Sequence, residues 1–318
     1  MKLLLLIQMA VGMLAASWPV VSLPLNGQQD VSPRQAPSTI KVDTNLVLLN
    51  VAVTDQKGRA VSGLEKTHFK VFEDGVEHSI NFFSMEKVPV SWALVLDRSG
   101  SMSEMIGNVY RAAVHVVDEG SEDDEAFIVT FSETSELASD FVSDRRKLRD
   151  SVEGLRAGGS TALWDAVAFA LDHLKHGQHR KKVMVVITDG EDNHSRLNLR
   201  DLVRRVEEED VLIYTVGMFE SDGLSRFFGA DASMRKQLAR LAEATGAQAH
   251  FPTNIEQCEA AMAAIARDVS WQYQLGYYPT NRARDGKWRK IKVIVVGSGN
   301  TDTKYIARTR TGYYGPTS

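Results

Sequence analysis

The sequence predicts an α/β protein in which a doubly wound, mostly parallel sheet is inserted in, or flanked by, a small β-sandwich. Two patterns carry that expectation. Between residues 89 and 269, four short continuous apolar runs alternate with segments of helical spacing: Val90 to Leu96, Ala126 to Phe131, Val183 to Thr188 and Val211 to Val216. A strand that is apolar at every position is one buried on both faces, as parallel sheets are. On either side of this region, residues 39–88 and 270–316 lack helical spacing and read as short strands separated by turn residues.

The chain opens on Lys2 and an apolar stretch from Leu3 to Ala16, ending in small residues at Val20-Val21-Ser22. This reads as a secretory signal peptide over residues 1–22, too short for a bilayer span of roughly twenty apolar residues. The expected product is secreted or periplasmic, with retention of an N-terminal membrane anchor as the alternative. Residues 23–38 contain Pro24, Pro33 and Pro37 among polar residues and read as a flexible linker. In residues 39–88, alternation around Leu46 to Val53 is followed by Phe69 to Phe72, an Asp74-Gly75 hairpin turn and Ser79 to Phe83. Next comes the α/β region, with helical spacing over 109–119, 145–155, 162–175, 199–208 and 234–245, and a last helix over 255–269. Residues 270–316 return to strands at 271–278, 290–296 and 305–310. Each flank is half a sandwich, too small to stand alone, so the two are expected to pack on each other.

Composition removes several function classes. The chain has 318 residues and a net charge of −4, with no basic run beyond His179 to Lys182, so a nucleic-acid surface is not expected. Cys258 is the single cysteine, which excludes an internal disulfide and thiolate-based zinc or iron–sulfur sites. Nucleophile-elbow, phosphate-loop, dinucleotide and His-Glu-x-x-His motifs are all missing. Any metal must be held by oxygen or histidine.

The chemistry concentrates at strand ends. The first α/β strand runs into Asp97-Arg98-Ser99-Gly100-Ser101, Gly158-Gly159-Ser160-Thr161 precedes a helix, and Val185 to Thr188 runs into Asp189. In an open parallel sheet, loops at the carboxyl ends of strands carry the ligands. Asp97, Ser99, Ser101, Thr161 and Asp189 therefore form a candidate metal site. Hydroxyls and two carboxylates suit octahedral magnesium or manganese rather than zinc.

Asp97-x-Ser99-x-Ser101, then Thr161, then Asp189-Gly190 resembles the metal-ion-dependent adhesion site (MIDAS) of the von Willebrand factor A family. The flanks, Phe69-x-Val71-x-Glu73-Asp74-Gly75, Tyr273-x-Leu275-Gly276-Tyr277-Tyr278-Pro279 and Arg310-x-Gly312-Tyr313-Tyr314, resemble secreted bacterial proteins carrying such a domain. The resemblance implies a Rossmann-like fold and a magnesium ion with one open position. It also implies a protein partner whose Asp or Glu carboxylate completes the shell, with movement of the last helix on binding. The expected function is a metal-dependent adhesion or assembly module. Two rivals are a metal-assisted hydrolase using Glu191 or His194 as base, and a scaffold in which the ion only stabilises loops.

Other residues have plainer readings. Asp192, Glu191 and His194 belong to a polar loop after a strand. His173, His176 and His179 straddle a helix end, where imidazoles are commonly solvated. Cys258 reads as a small core residue, and Tyr277, Tyr278, Tyr313 and Tyr314 as strand packing.

Overall fold

A computed structural model describes residues 46–56, 58–85, 87–104, 106–189, 192–219, 230–296 and 305–317. The signal peptide expected over 1–22 and the linker over 23–38 lie outside the described residues. All of the described residues fall in the unit Thr44–Ser318.

The first strand, β1 (Val47–Thr54), buries Val47, Leu49, Val51 and Val53 on one face by simple alternation. A hairpin follows, β2 (Phe69–Glu73) and β3 (Val76–His78), closed by Asp74 at φ 49° and Gly75 at φ 86°. Two successive positive φ values give the turn whose twist matches that of its strands, which is why Asp-Gly stands there. After β4 (Ile80–Ser84) the chain enters the α/β region.

There β5 (Val90–Asp97) leads to α1 (Ile106–Asp118), β6 (Glu125–Phe131), β7 (Ser135–Val142), α2 (Arg145–Val152) and α3 (Leu163–Leu174). The segment is completed by β8 (Lys181–Thr188), α4 (Leu199–Glu207), β9 (Val211–Gly217), α5 (Ala230–Thr245), β10 (Ala249–His250) and α6 (Ile255–Ser270). The sheet order is β10-β9-β8-β5-β6-β7, parallel except for the β6–β7 pair. Trp92, Leu94 and Leu96 face a layer built by α1, α2 and α6. Ala93 and Val95 face the opposite layer of α3, α4 and α5. The continuous apolar runs thus mark strands covered on both sides. Strand β7 escapes sequence reading because an edge strand needs no such run; polar and apolar residues fall in pairs from Ser135 to Val142, without a strand's alternation, and Leu137 stays exposed.

The chain ends in β11 (Gln272–Tyr277), β12 (Trp288–Val295), β13 (Ile306–Arg308) and β14 (Gly312–Tyr314). Two four-stranded antiparallel sheets result, ordered β13-β1-β11-β4 and β14-β12-β2-β3. They share one core, in which Leu49, Val51, Phe69 and Val71 meet Tyr273, Leu275, Ile291 and Val293. Each sheet draws strands from both sides of the α/β segment. That segment leaves from β4 and returns into β11, which are antiparallel neighbours. Among the described residues no helix is long and apolar enough to cross a membrane.

Close backbone contact joins the two parts. Gly246 ends α5 at φ 84°, with the Ala247 N–H donating to Ala242 O at 3.1 Å in a Schellman cap. A Cβ at Gly246 would lie 2.4 Å from the Thr309 carbonyl carbon and 2.6 Å from the Arg310 nitrogen. Gly246→Ala is therefore expected to destabilise the protein by about 2–3 kcal/mol, combining a left-handed conformation with backbone overpacking. Urea unfolding reads this directly, and an unchanged midpoint would mean that the strand segment yields freely.

Lys181, at the start of β8, donates from Nζ to Val269 O at 2.5 Å, beside the end of α6. Burial pushes its pKa down to about 8, against the opposing charges of Asp268 and Asp124. Between pH 8 and the ordinary 10.5 of an exposed lysine, the unfolded chain binds more protons than the folded one. Stability attributable to this group must then rise with pH across that window. Paired urea titrations of wild type and Lys181→Met should show this rise only in wild type; parallel pH profiles would exclude it.

Candidate metal centre

The end of β5 delivers Asp97 into a fully buried position. Its Oδ1 accepts the Ser99 N–H at 2.8 Å, and its Oδ2 accepts the Thr188 hydroxyl at 2.5 Å. Thr188 is the last residue of β8, the strand beside β5, so Asp97 and Asp189 leave the sheet from adjacent strands. The Ser101 hydroxyl donates to Asp189 Oδ1 at 2.8 Å and lies 3.2 Å from the Ser99 hydroxyl. Asp97, Ser99, Ser101 and Asp189 are thereby brought into one continuous set of oxygens.

Thr161 is held by its backbone. Its N–H donates to Asn193 Oδ1 at 2.9 Å, and its carbonyl accepts from the Asn193 and His194 N–H groups at 3.0 Å each. The loop before it is stitched to the Asp97 turn by Gly100 N to Gly159 O at 3.2 Å and Gly158 N to Arg98 O at 2.8 Å. All three loops are thus fastened together at the carboxyl edge of the sheet. Among the described residues no hydrogen bond links the Thr161 hydroxyl to the other four side chains.

The electrostatics point one way. Burial pushes the Asp97 carboxyl above its ordinary pKa, although the Thr188 hydroxyl and Ser99 donors pull it back. Tyr110, whose hydroxyl donates to Asp97 O at 2.9 Å, is also pushed up, by burial first and then by the charge of Asp97. A buried carboxylate near a second carboxylate is costly unless a cation accompanies it. The donor set fits a small hard divalent ion: it offers oxygen alone, with only two formal charges. Among the described residues no group of three or more His, Cys, Asp or Glu could hold a metal, so an ion here would rely on hydroxyls.

Neighbouring polar residues have structural tasks. Asp192 accepts the Leu163 N–H at 2.9 Å and the Ser195 hydroxyl at 2.5 Å, while Ser195 accepts from Trp164 N at 3.0 Å. Together they satisfy donors at the start of α3. His194 is exposed, and Glu191 lies outside the described residues. Thr188 and Asn193, which hold Asp97 and Thr161, escaped the sequence reading. Thr188 does carry a signal: it is a hydroxyl at the buried end of an apolar strand.

The solvated reading of His173 is corrected: its Nε2 is 2.9 Å from Asp140 Oδ1 and its ring stacks on Phe141, with centroids 5.4 Å apart. His179 Nε2 meets Asp123 O at 2.8 Å. Cys258 is buried in the core, its thiol pushed up to about 11 by that burial. Tyr277 and Tyr313 both donate to Glu73 Oε2, at 2.6 and 2.8 Å, while Tyr278 is exposed.

The family model of the von Willebrand factor type A domain matches residues 93–264, more than half of the chain. The chain belongs to the von Willebrand factor type A domain family. A solved von Willebrand factor type A protein from Catenulispora acidiphila shares the fold at TM-score 0.50 and 12% identity, covering 86% of this chain and 75% of that one. The vWF domain of the type V pili tip protein Mfa5 from Porphyromonas gingivalis matches at TM-score 0.47 and 13% identity, over 57% of this chain and 95% of that one. An uncharacterized protein from Borreliella burgdorferi is 28% identical over 107 residues, 33% of this chain and 31% of that protein. The chain spans about a third or less of the length of the curated relatives it matches. All five candidate residues, Asp97 to Asp189, fall inside the matched von Willebrand A region.

Proposed function

We propose that this protein is an extracytoplasmic, divalent-metal-dependent protein-binding module for adhesion or assembly. The observation that supports it most is the hydrogen-bonded oxygen set of Asp97, Ser99, Ser101 and Asp189 at the carboxyl edge of β5 and β8. These four residues, with Thr161 on the adjoining loop, would hold a magnesium or manganese ion. Such an ion, when bound, supplies Lewis acidity toward an Asp or Glu carboxylate of a protein partner, because two formal charges leave it electrophilic. The chain's own part is positioning. Thr188 and the Ser99 amide fix both oxygens of Asp97, and the stitching between the three loops keeps the hydroxyls at the sheet edge.

Calorimetric titration with MgCl2 should reveal one site, absent in Asp189→Ala. The peptide Ac-Gly-Ser-Asp-Gly-Ser-NH2 should bind in magnesium and be released by chelator. A titration without heat over a range of temperatures, or peptide binding that ignores the chelator, would end this reading.

A further inference from the structure

Beside the candidate metal site, the chain leaving β9 runs along the end of β8, with the Met218 N–H donating to Thr188 O at 2.8 Å. The next residue is Phe219, and Phe251 follows β10 on the same edge of the sheet. Their rings stack with centroids 6.2 Å apart and an interplanar angle of 28°. Arg235 of α5 lies against both, its guanidinium carbon 4.9 Å from one ring centroid and 4.8 Å from the other.

Arg235 is half-buried, yet no hydrogen bond or carboxylate partner accompanies it among the described residues. The other half-buried arginines among the described residues all have one. Arg98 meets Glu136, Arg205 meets Asp172 and Arg308 meets Asp268, while Arg145 and Arg310 donate to backbone carbonyls. The two phenyl rings supply cation–π attraction and restrain the side chain, but they satisfy none of its N–H groups. A guanidinium restrained in this way keeps its planar donor fork for a ligand and has little rotamer freedom left to lose.

The geometry points to Arg235 as a second anion subsite on the metal-bearing edge, taking a carboxylate of the same acidic partner whose first carboxylate meets the ion. The partner's recognition element is then a pair of acidic side chains rather than one. This inference rests on the function proposed above for the pairing, but not for the Arg235 subsite itself. Phe219 and Phe251 are positioning residues that hold the fork.

Paired peptides Ac-Asp-(Gly)n-Asp-NH2 and Ac-Asp-(Gly)n-Asn-NH2, with n from one to four, test it by fluorescence competition in saturating MgCl2 and again in EDTA. At one spacing or more, the diacid should bind wild type about tenfold or more tightly than its monoacid, the usual range for a charge-assisted pair. Arg235→Gln and Arg235→Met should both abolish that preference and leave the calorimetric MgCl2 affinity unchanged. Equal affinities for diacid and monoacid at every spacing, or a preference that survives in both variants, would overturn the Arg235 subsite and leave the metal reading intact. An Arg235-dependent preference that is indifferent to EDTA would support the subsite and overturn the metal reading instead. Failure of every peptide to bind in magnesium overturns both.

Discussion

Replacing Glu73 by alanine should cost about 3–5 kcal/mol of stability, the range for breaking a buried charge pair from one side. Glu73 is 2% exposed on β2 and accepts hydrogen bonds from Tyr277 of β11 and Tyr313 of β14. Arg289 of β12, also 2% exposed, places Nη1 3.8 Å from its other oxygen. Burial and the bond to Glu73 both push the Tyr277 hydroxyl well above its ordinary pKa, so it stays a donor. In the alanine variant two hydroxyls lose their acceptor, and Arg289 loses its counter-charge while keeping the Asn281 and Ala283 carbonyls, at 2.7 and 2.6 Å, and the Tyr313 hydroxyl at 3.4 Å. The urea midpoint should fall by roughly 1 M or more at a typical slope. Glu73→Gln, which keeps an acceptor but not the charge, should lose less. A loss below about 1 kcal/mol in the alanine variant would show that the network is dispensable. Because its four members come from both flanks, the experiment also measures how firmly the flanks close on each other.

Asp97→Asn should produce melting curves that change order with the ion. In chelator the variant should be at least as stable as wild type, since it removes a buried charge while keeping an oxygen for the Ser99 amide or Thr188 hydroxyl. In saturating magnesium wild type should gain about 2.7 kcal/mol at a hundredfold excess over Kd, by mass action, and the variant nothing. Thermal melts of both proteins in EDTA and in MgCl2 make the comparison. Should Asp97→Asn lose equal stability in both buffers, Asp97 would be a structural residue, and the proposed metal site would be without its most buried candidate ligand.

What the sequence makes legible follows from where burial is symmetric. Strands β5, β6, β8 and β9 are covered on both faces, so their runs are almost wholly apolar, with Ser91, Thr130 and Thr215 the buried polar exceptions within them. Strand β7 lies at a sheet edge, and nothing in a half-exposed segment such as Ser135 to Val142 separates it from a loop. Pairing is less legible than strand existence: Val51 meets Tyr273 across the whole α/β segment, and no local pattern encodes that register. The same limit applies to the candidate site. Asp97 and Asp189 stand out because each directly follows an apolar run. Asn193 does not, since its task exists only once separate loops meet.

The departure of the α/β segment from β4 and its return into β11 has a consequence for how the molecule can be remade. To the sandwich, the entire intervening body is the connection of a single hairpin, and the entropy of closing a connection grows only logarithmically with its length. The sandwich is thus a socket largely indifferent to the size of what it carries. A different head could be grafted onto the same two strands, so long as it also covers the Thr309–Arg310 backbone that Gly246 packs against and supplies a partner for Arg308 in place of Asp268.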